Sequence, residues 1–138
     1  MLEDELHIWM IQWLEHALPH GSVVHHSPNE GRRHVNYKMK MKRMGTVSGW
    51  PDIELFVPDH GWKRVEDKGP IMIEVKRPKG GSVSPKQKDC HERLRDCGVY
   101  CLVAKRLHHI ERYLEPLLKL REGEARCLVK RLCEAAGG

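Results

Sequence analysis

No apolar run in the chain approaches the ~18–20 residues that a membrane-spanning helix needs. The first residues are acidic (Glu3, Asp4, Glu5), where a secretory signal is basic. The chain therefore reads as soluble and cytoplasmic, with no membrane partner. No CxxC pair occurs among its five cysteines, Cys90, Cys97, Cys101, Cys127 and Cys133. Their odd number, without a signal peptide, favours reduced thiols over a disulfide framework. His108 and His109 follow Cys97 and Cys101, but Cys101 falls inside an apolar strand-like run, so structural zinc is not expected. The thiols read as small core residues. A repeat array or a multidomain enzyme is not expected either. The 138 residues suit one domain (1–138), large enough to bury a core without staples.

Charge of one sign is missing from whole segments. Residues 1–30 hold five acids and no Lys or Arg, whereas Gly31 to Pro51 contain Arg32, Arg33, Lys38, Lys40, Lys42 and Arg43 and no acid. A second acid-free basic stretch runs through Lys76, Arg77, Lys79, Lys86 and Lys88. The net charge of +5 thus conceals two basic blocks beside something acidic. On charge alone, these are either a surface for a polyanion or two solvated lysine-rich loops.

Helical spacing of Leu6, Met10, Trp13, Leu14 and Ala17 predicts an amphipathic helix over 2–18, stopped by Pro19 and Gly21. Val23 to Ser27 reads as a short strand before the turn cluster Pro28-Asn29-Glu30-Gly31, and the basic segment 32–45 is ambiguous, a short helix being one reading. Strands are predicted at Asp52–Val57 and Ile71–Lys76, with Trp62–Val65 as a possible hairpin arm. Ser84-Pro85-Lys86-Gln87 is a capping-box start, with Cys90, Leu94 and Cys97 continuing one face and Gly98 as the stop. Val99–Ala104 is a further strand, and Leu107–Leu120 and Ala125–Cys133 are closing helices. This order describes an α/β domain with a mixed sheet flanked by helices, αβββαβ plus C-terminal helices. Its core spans about 2–104, and 105–138 form a helical extension.

Period-2 alternation in Ile71-Met72-Ile73-Glu74-Val75-Lys76 puts Ile71, Ile73 and Val75 on one face and Glu74 with Lys76 on the other. Asp52 stands at the start of its strand, after Gly49-Trp50-Pro51, where backbone can approach a ligand closely. Two carboxylates converging from adjacent strand ends suit a hard divalent cation. A lysine beside them can serve an attacking water and offset charge on a phosphate. The plainer alternative is a Glu74–Lys76 ion pair on a wet sheet face, with Asp52 an ordinary turn residue.

Pro51-Asp52 followed by Glu74-Val75-Lys76 resembles the PD-(D/E)xK nuclease core, a restriction-endonuclease-like fold. The resemblance is closer still to the VRR-NUC family in its stand-alone viral and bacterial form. It is carried by Glu3 with Trp13-Leu14, Pro28-Asn29-Glu30-Gly31-Arg32-Arg33, Met44-Gly45, Gly49-Trp50-Pro51-Asp52, Glu74-Val75-Lys76-Arg77-Pro78 and Ser84-Pro85-Lys86-Gln87. The resemblance implies that Asp52 and Glu74 ligate Mg²⁺ or Mn²⁺ with the Val75 carbonyl. It also implies that Lys76 serves the attacking water, that Glu3 approaches from the first helix, and that Gln87 points into the site. Asn29, Arg32, Arg33, Lys38, Lys40, Lys42, Arg77, Lys79, Ser84 and Lys86 would contact DNA. The chain departs from the family at His7, where Gln is common four residues after the first acid. Glu5 competes with Glu3, and Gln87 has its capping box as an alternative role.

The expected function is a metal-dependent endonuclease acting on branched DNA, resolving Holliday junctions as a homodimer because a symmetric junction presents two strands to cut. A flap or non-specific DNA nuclease, and a catalytically silent DNA-binding module, are the alternatives. Trp9 and Trp13 are expected in the core or an interface. The histidines, including His25-His26 and His108-His109, are read as surface or packed residues.

Overall fold

A computed structural model describes residues 1–28 and 35–138. Its elements are α1 (Glu3–Ala17), β1 (Val23–His26), α2 (Val35–Arg43), β2 (Ile53–Phe56), β3 (Ile71–Val75), α3 (Pro85–Asp96), β4 (Tyr100–Ala104), α4 (Leu107–Leu114) and α5 (Glu124–Ala135). The sheet order is β1-β2-β3-β4. β1/β2 and β2/β3 are antiparallel, and β3/β4 are parallel, joined by the α3 crossover.

The five apolar residues that set the period of α1 are its buried residues. They pack on Ile53, Leu55, Ile71, Ile73 and Val75 of the sheet and on Leu107, Ile110, Leu114 and Cys133 of the closing helices. Arg121 ties the far end of α1 by donating to the Leu18 and Glu15 carbonyls at 2.6 and 2.5 Å. These bonds supply partners to carbonyls that the helix end leaves unpaired. At the other end, the Leu2 N–H donates to Glu5 Oε2 at 3.4 Å.

Four expectations need correction. Trp62–Val65 is not a hairpin arm. The segment holds 3-10 turns at Asp59–Gly61 and Val65–Asp67, and Trp62 makes one isolated bridge to Leu118 while its indole N–H bonds the Val57 carbonyl. α4 stops at Leu114, not Leu120, because Pro116 cannot continue the hydrogen-bond ladder. Cys97 and Cys127 are exposed, and only Cys90, Cys101 and Cys133 are buried thiols. Finally, β3 has no wet face: all five of its residues are buried, since α3 covers the side away from α1. Among the described residues no helix is long and apolar enough to cross a membrane.

Candidate active site

The site forms where β2 begins and β3 ends. Pairing between these strands runs out at Ile53↔Ile73, and the Asp52 N–H donates to the Ile73 carbonyl at 3.1 Å. Val75 therefore projects its N–H past the start of β2 with no ladder partner there. The Asp52 carboxylate takes that role: Oδ2 accepts the Val75 N–H at 2.8 Å. Backbone N–H and C=O of one strand residue point to the same side, so the Val75 carbonyl faces the same edge. Asp52 is 8% exposed.

Glu74, on the α3 side of β3, is 1% exposed and is not paired with Lys76. Its Oε1 lies 3.1 Å from Nε2 of His91, which is 3% exposed. Burial, a hydrogen bond with Asp52 and the Asp52 charge together push the Glu74 carboxyl up to about 9, against the pull of Lys76. Burial and nearby Arg95 push His91 down, and the two buried side chains share a hydrogen bond whose donor is set by the ring tautomer. The wet-face ion pair is thus excluded by the covering helix.

Glu3 and Lys76 line an adjoining groove of about 510 Å³ with Leu2, Asp4, Arg77 and Gly81. Burial raises the Glu3 carboxyl and the Asp52 charge adds to it, while Lys76 and the Arg77 backbone N–H pull it down. Glu3 is therefore a neighbour of the carboxylate pair, whereas Glu5 is engaged at the helix start. His7 is half-buried, edge-to-face with His26 at 4.7 Å between ring centroids. Burial and His26 lower its pKa against the opposing pull of the Asp52 charge.

A second groove, of about 520 Å³, runs along the same edge between the 45–50 loop and the start of α3, lined by Lys38, Trp50, Ser84, Lys86 and Gln87 among others. Gly49 makes this closeness possible. At φ +80° its backbone lies so near α3 that an added Cβ would stand 2.4 Å from the Lys86 carbonyl oxygen. The close approach expected of this loop is thus to a helix of the chain itself. Gln87 closes the capping box, with Oε1 accepting the Ser84 N–H at 2.9 Å and its own N–H donating to Ser84 Oγ at 3.2 Å. Lys40, Lys42 and Lys79 are exposed. Arg77 is exposed beside Lys76, and Asn29, Arg32 and Arg33 lie outside the described residues.

His91 was absent from the sequence expectations. The signal that could have found it is position: one turn after Gln87 and next to Cys90, it falls on the sheet-facing stripe of α3, opposite the face that carries Glu74.

Among the described residues no three His, Cys, Asp or Glu side chains gather as a ready-made metal site. The oxygen donors present are the Asp52 and Glu74 carboxylates and the Val75 carbonyl. That set fits Mg²⁺ or Mn²⁺, which accept one or two carboxylates and keep several waters. A dication would favour the ionised form of Glu74, which burial and the Asp52 charge disfavour.

A mixed sheet with flanking helices, and two carboxylates and a lysine at adjoining strand ends, defines an α/β nuclease-like core. The VRR-NUC domain family matches residues 2–106, and the chain belongs to that family. A solved structure described as a VRR_NUC domain protein shares the fold, with a TM-score of 0.65 and 24% identity over 91% of this chain and 94% of that one. No curated protein matches. The domain is of nuclease type, with DNA as its implied partner.

Proposed function

We propose that this chain is a metal-dependent, structure-selective DNA endonuclease that hydrolyses phosphodiester bonds in branched DNA, acting on Holliday junctions as a homodimer. The observation that carries the hydrolytic reading is the meeting of Asp52 and Glu74, both buried, at one edge of the sheet with Lys76 next to them. A divalent cation, Mg²⁺ or Mn²⁺, when bound supplies Lewis-acid polarisation and charge neutralisation. Asp52, Glu74 and the Val75 carbonyl would hold it, with Glu3 close by. Lys76, half-exposed at the groove, orients the attacking water and offsets charge building on the phosphate. The water oxygen forms its bond to phosphorus as the opposite ester bond breaks. Gln87 is positioned by its capping box on the wall of the neighbouring groove.

Lys38, Lys40, Lys42, Arg77, Lys79, Ser84 and Lys86 border the grooves or stand exposed near them, and with Asn29, Arg32 and Arg33 are read as backbone contacts. Such contacts give affinity with little sequence preference. We read 1–138 as one nuclease unit, because α4 and α5 complete the core around α1. The homodimer rests on substrate symmetry: one protomer carries one such site, whereas a four-way junction has two equivalent strands to cut.

The test is cleavage of linear, flap and four-way substrates with Mg²⁺ or Mn²⁺, comparing wild type with Lys76→Ala, alongside the solution mass on DNA. Preferential cutting of the four-way substrate by a dimer, lost in Lys76→Ala, is the expected result. Flap-only cutting by a monomer would remove the junction reading. Inert wild type with both metals would favour a silent binding module.

A further inference from the structure

We propose that His91 is a positioning residue for the site, its Nε2–H holding the Glu74 carboxylate in the orientation in which it serves the cation. The inference rests on the nuclease reading above and adds a residue to it. Glu74 and His91 are 1% and 3% exposed, and their polar atoms meet at 3.1 Å. A buried glutamate on a five-residue strand would otherwise have several rotamers, since its terminal torsion is broad. One hydrogen bond from the covering helix selects among them.

The chemistry of the partner matters. An ionised carboxylate only accepts hydrogen bonds, so in the cation-binding state Nε2 must carry the proton. One imidazole N–H orients Glu74 through a single hydrogen bond, whereas a lysine or arginine in its place would set a fixed positive charge against the dication. Groups that orient metal ligands in this way typically control affinity by about 10–100-fold. Placement on α3 couples the two ends of the site, because the same helix begins with the Ser84–Gln87 capping box one turn earlier.

The two ring nitrogens provide the test. Gln places its amide nitrogen near Nε2, and Asn places its own near Nδ1. Both are smaller than His, so neither overpacks the interior. Mn²⁺ alone is titrated calorimetrically into metal-free wild type, His91→Gln, His91→Asn and His91→Leu, each checked by its melting curve. Cleavage is measured in parallel. Asn and Leu are expected to weaken Mn²⁺ binding by about 10–100-fold, with Gln recovering most of the loss. Equal Mn²⁺ affinity of the Gln and Asn variants, or wild-type affinity in all, would overturn the inference while leaving the nuclease reading intact. If Leu fails to fold, the Gln and Asn pair decides alone. Wild type that neither binds Mn²⁺ nor cuts DNA would bring down both.

Discussion

Asp52 makes two contributions that a pair of substitutions separates. Its carboxylate is one of the two proposed to hold the cation, and its Oδ2 is the acceptor for the Val75 N–H at 2.8 Å. Asp52→Asn removes the charge and keeps an acceptor oxygen, whereas Asp52→Ala removes both. A buried N–H left without a partner costs about 1–3 kcal/mol. For a chain of this size that difference corresponds to a melting temperature roughly 3–9 °C lower for Ala than for Asn. Asn also removes the Asp52 charge that, after burial, helps keep the Glu74 carboxyl protonated at neutral pH. The metal-free Asn variant is therefore expected to melt close to wild type and above Ala. Both variants should lose cleavage by about two or more orders of magnitude, the scale typical of a group that stabilises transition-state charge. Differential scanning calorimetry without metal, with cleavage of a four-way substrate in Mn²⁺, reads both effects. Wild-type cutting by Asn would refute the site, and equal melting of Ala and Asn would refute the structural role of the Asp52–Val75 bond.

Other perturbations test separate parts of the structure. Burial pushes the Glu111 carboxyl up, but hydrogen bonds from Lys130 (2.6 Å) and Arg126 (3.1 Å) outweigh it and hold it below its ordinary 4.5. A depressed folded-state pKa gives stability that is present above about pH 4.5 and lost as pH falls through the lower folded value. Glu111→Gln should cost about 1.5–3 kcal/mol at neutral pH and should lack that acid-side loss in urea denaturation. Gly49→Ala combines φ +80° with a Cβ 2.4 Å from the Lys86 carbonyl oxygen. It should destabilise by at least about 1–2 kcal/mol in the same assay and reduce cleavage by moving the start of α3. Lys40 and Lys42 are exposed on α2. Changing both to Gln should flatten the dependence of log affinity on log salt by about 1.8, measured by fluorescence anisotropy with a DNA duplex, and an unchanged slope would remove α2 from the interface.

Much of the fold is legible because local chemistry and tertiary packing agree. The α1 stripe, the Ser84 start of α3 and the alternation in β3 each depend on periodicity or capping within a few residues. Failures fall where longer-range contacts decide. Trp62–Val65 has strand-forming residues, but its neighbour in space is Leu118, more than fifty positions away, so it bridges instead of pairing as a hairpin. Cys97 has the spacing of a core residue on α3 but falls at the helix end, where it is exposed.

The sequence by itself determined the ingredients of the site: Asp52 at a strand start, Glu74 and Lys76 two apart on one strand, and basic blocks on either side. These follow from residue type and the two-residue period of a strand. Only the tertiary structure decided what surrounds them. Alternation assigns Glu74 to a face but says nothing of what covers that face, and a helix from a later part of the chain, carrying His91, turns it from a wet surface into the interior. That burial crowds Glu74 against Asp52 and sets it 3.1 Å from a buried histidine, which is why the residue that reads as half of a surface ion pair is a buried, strongly perturbed acid.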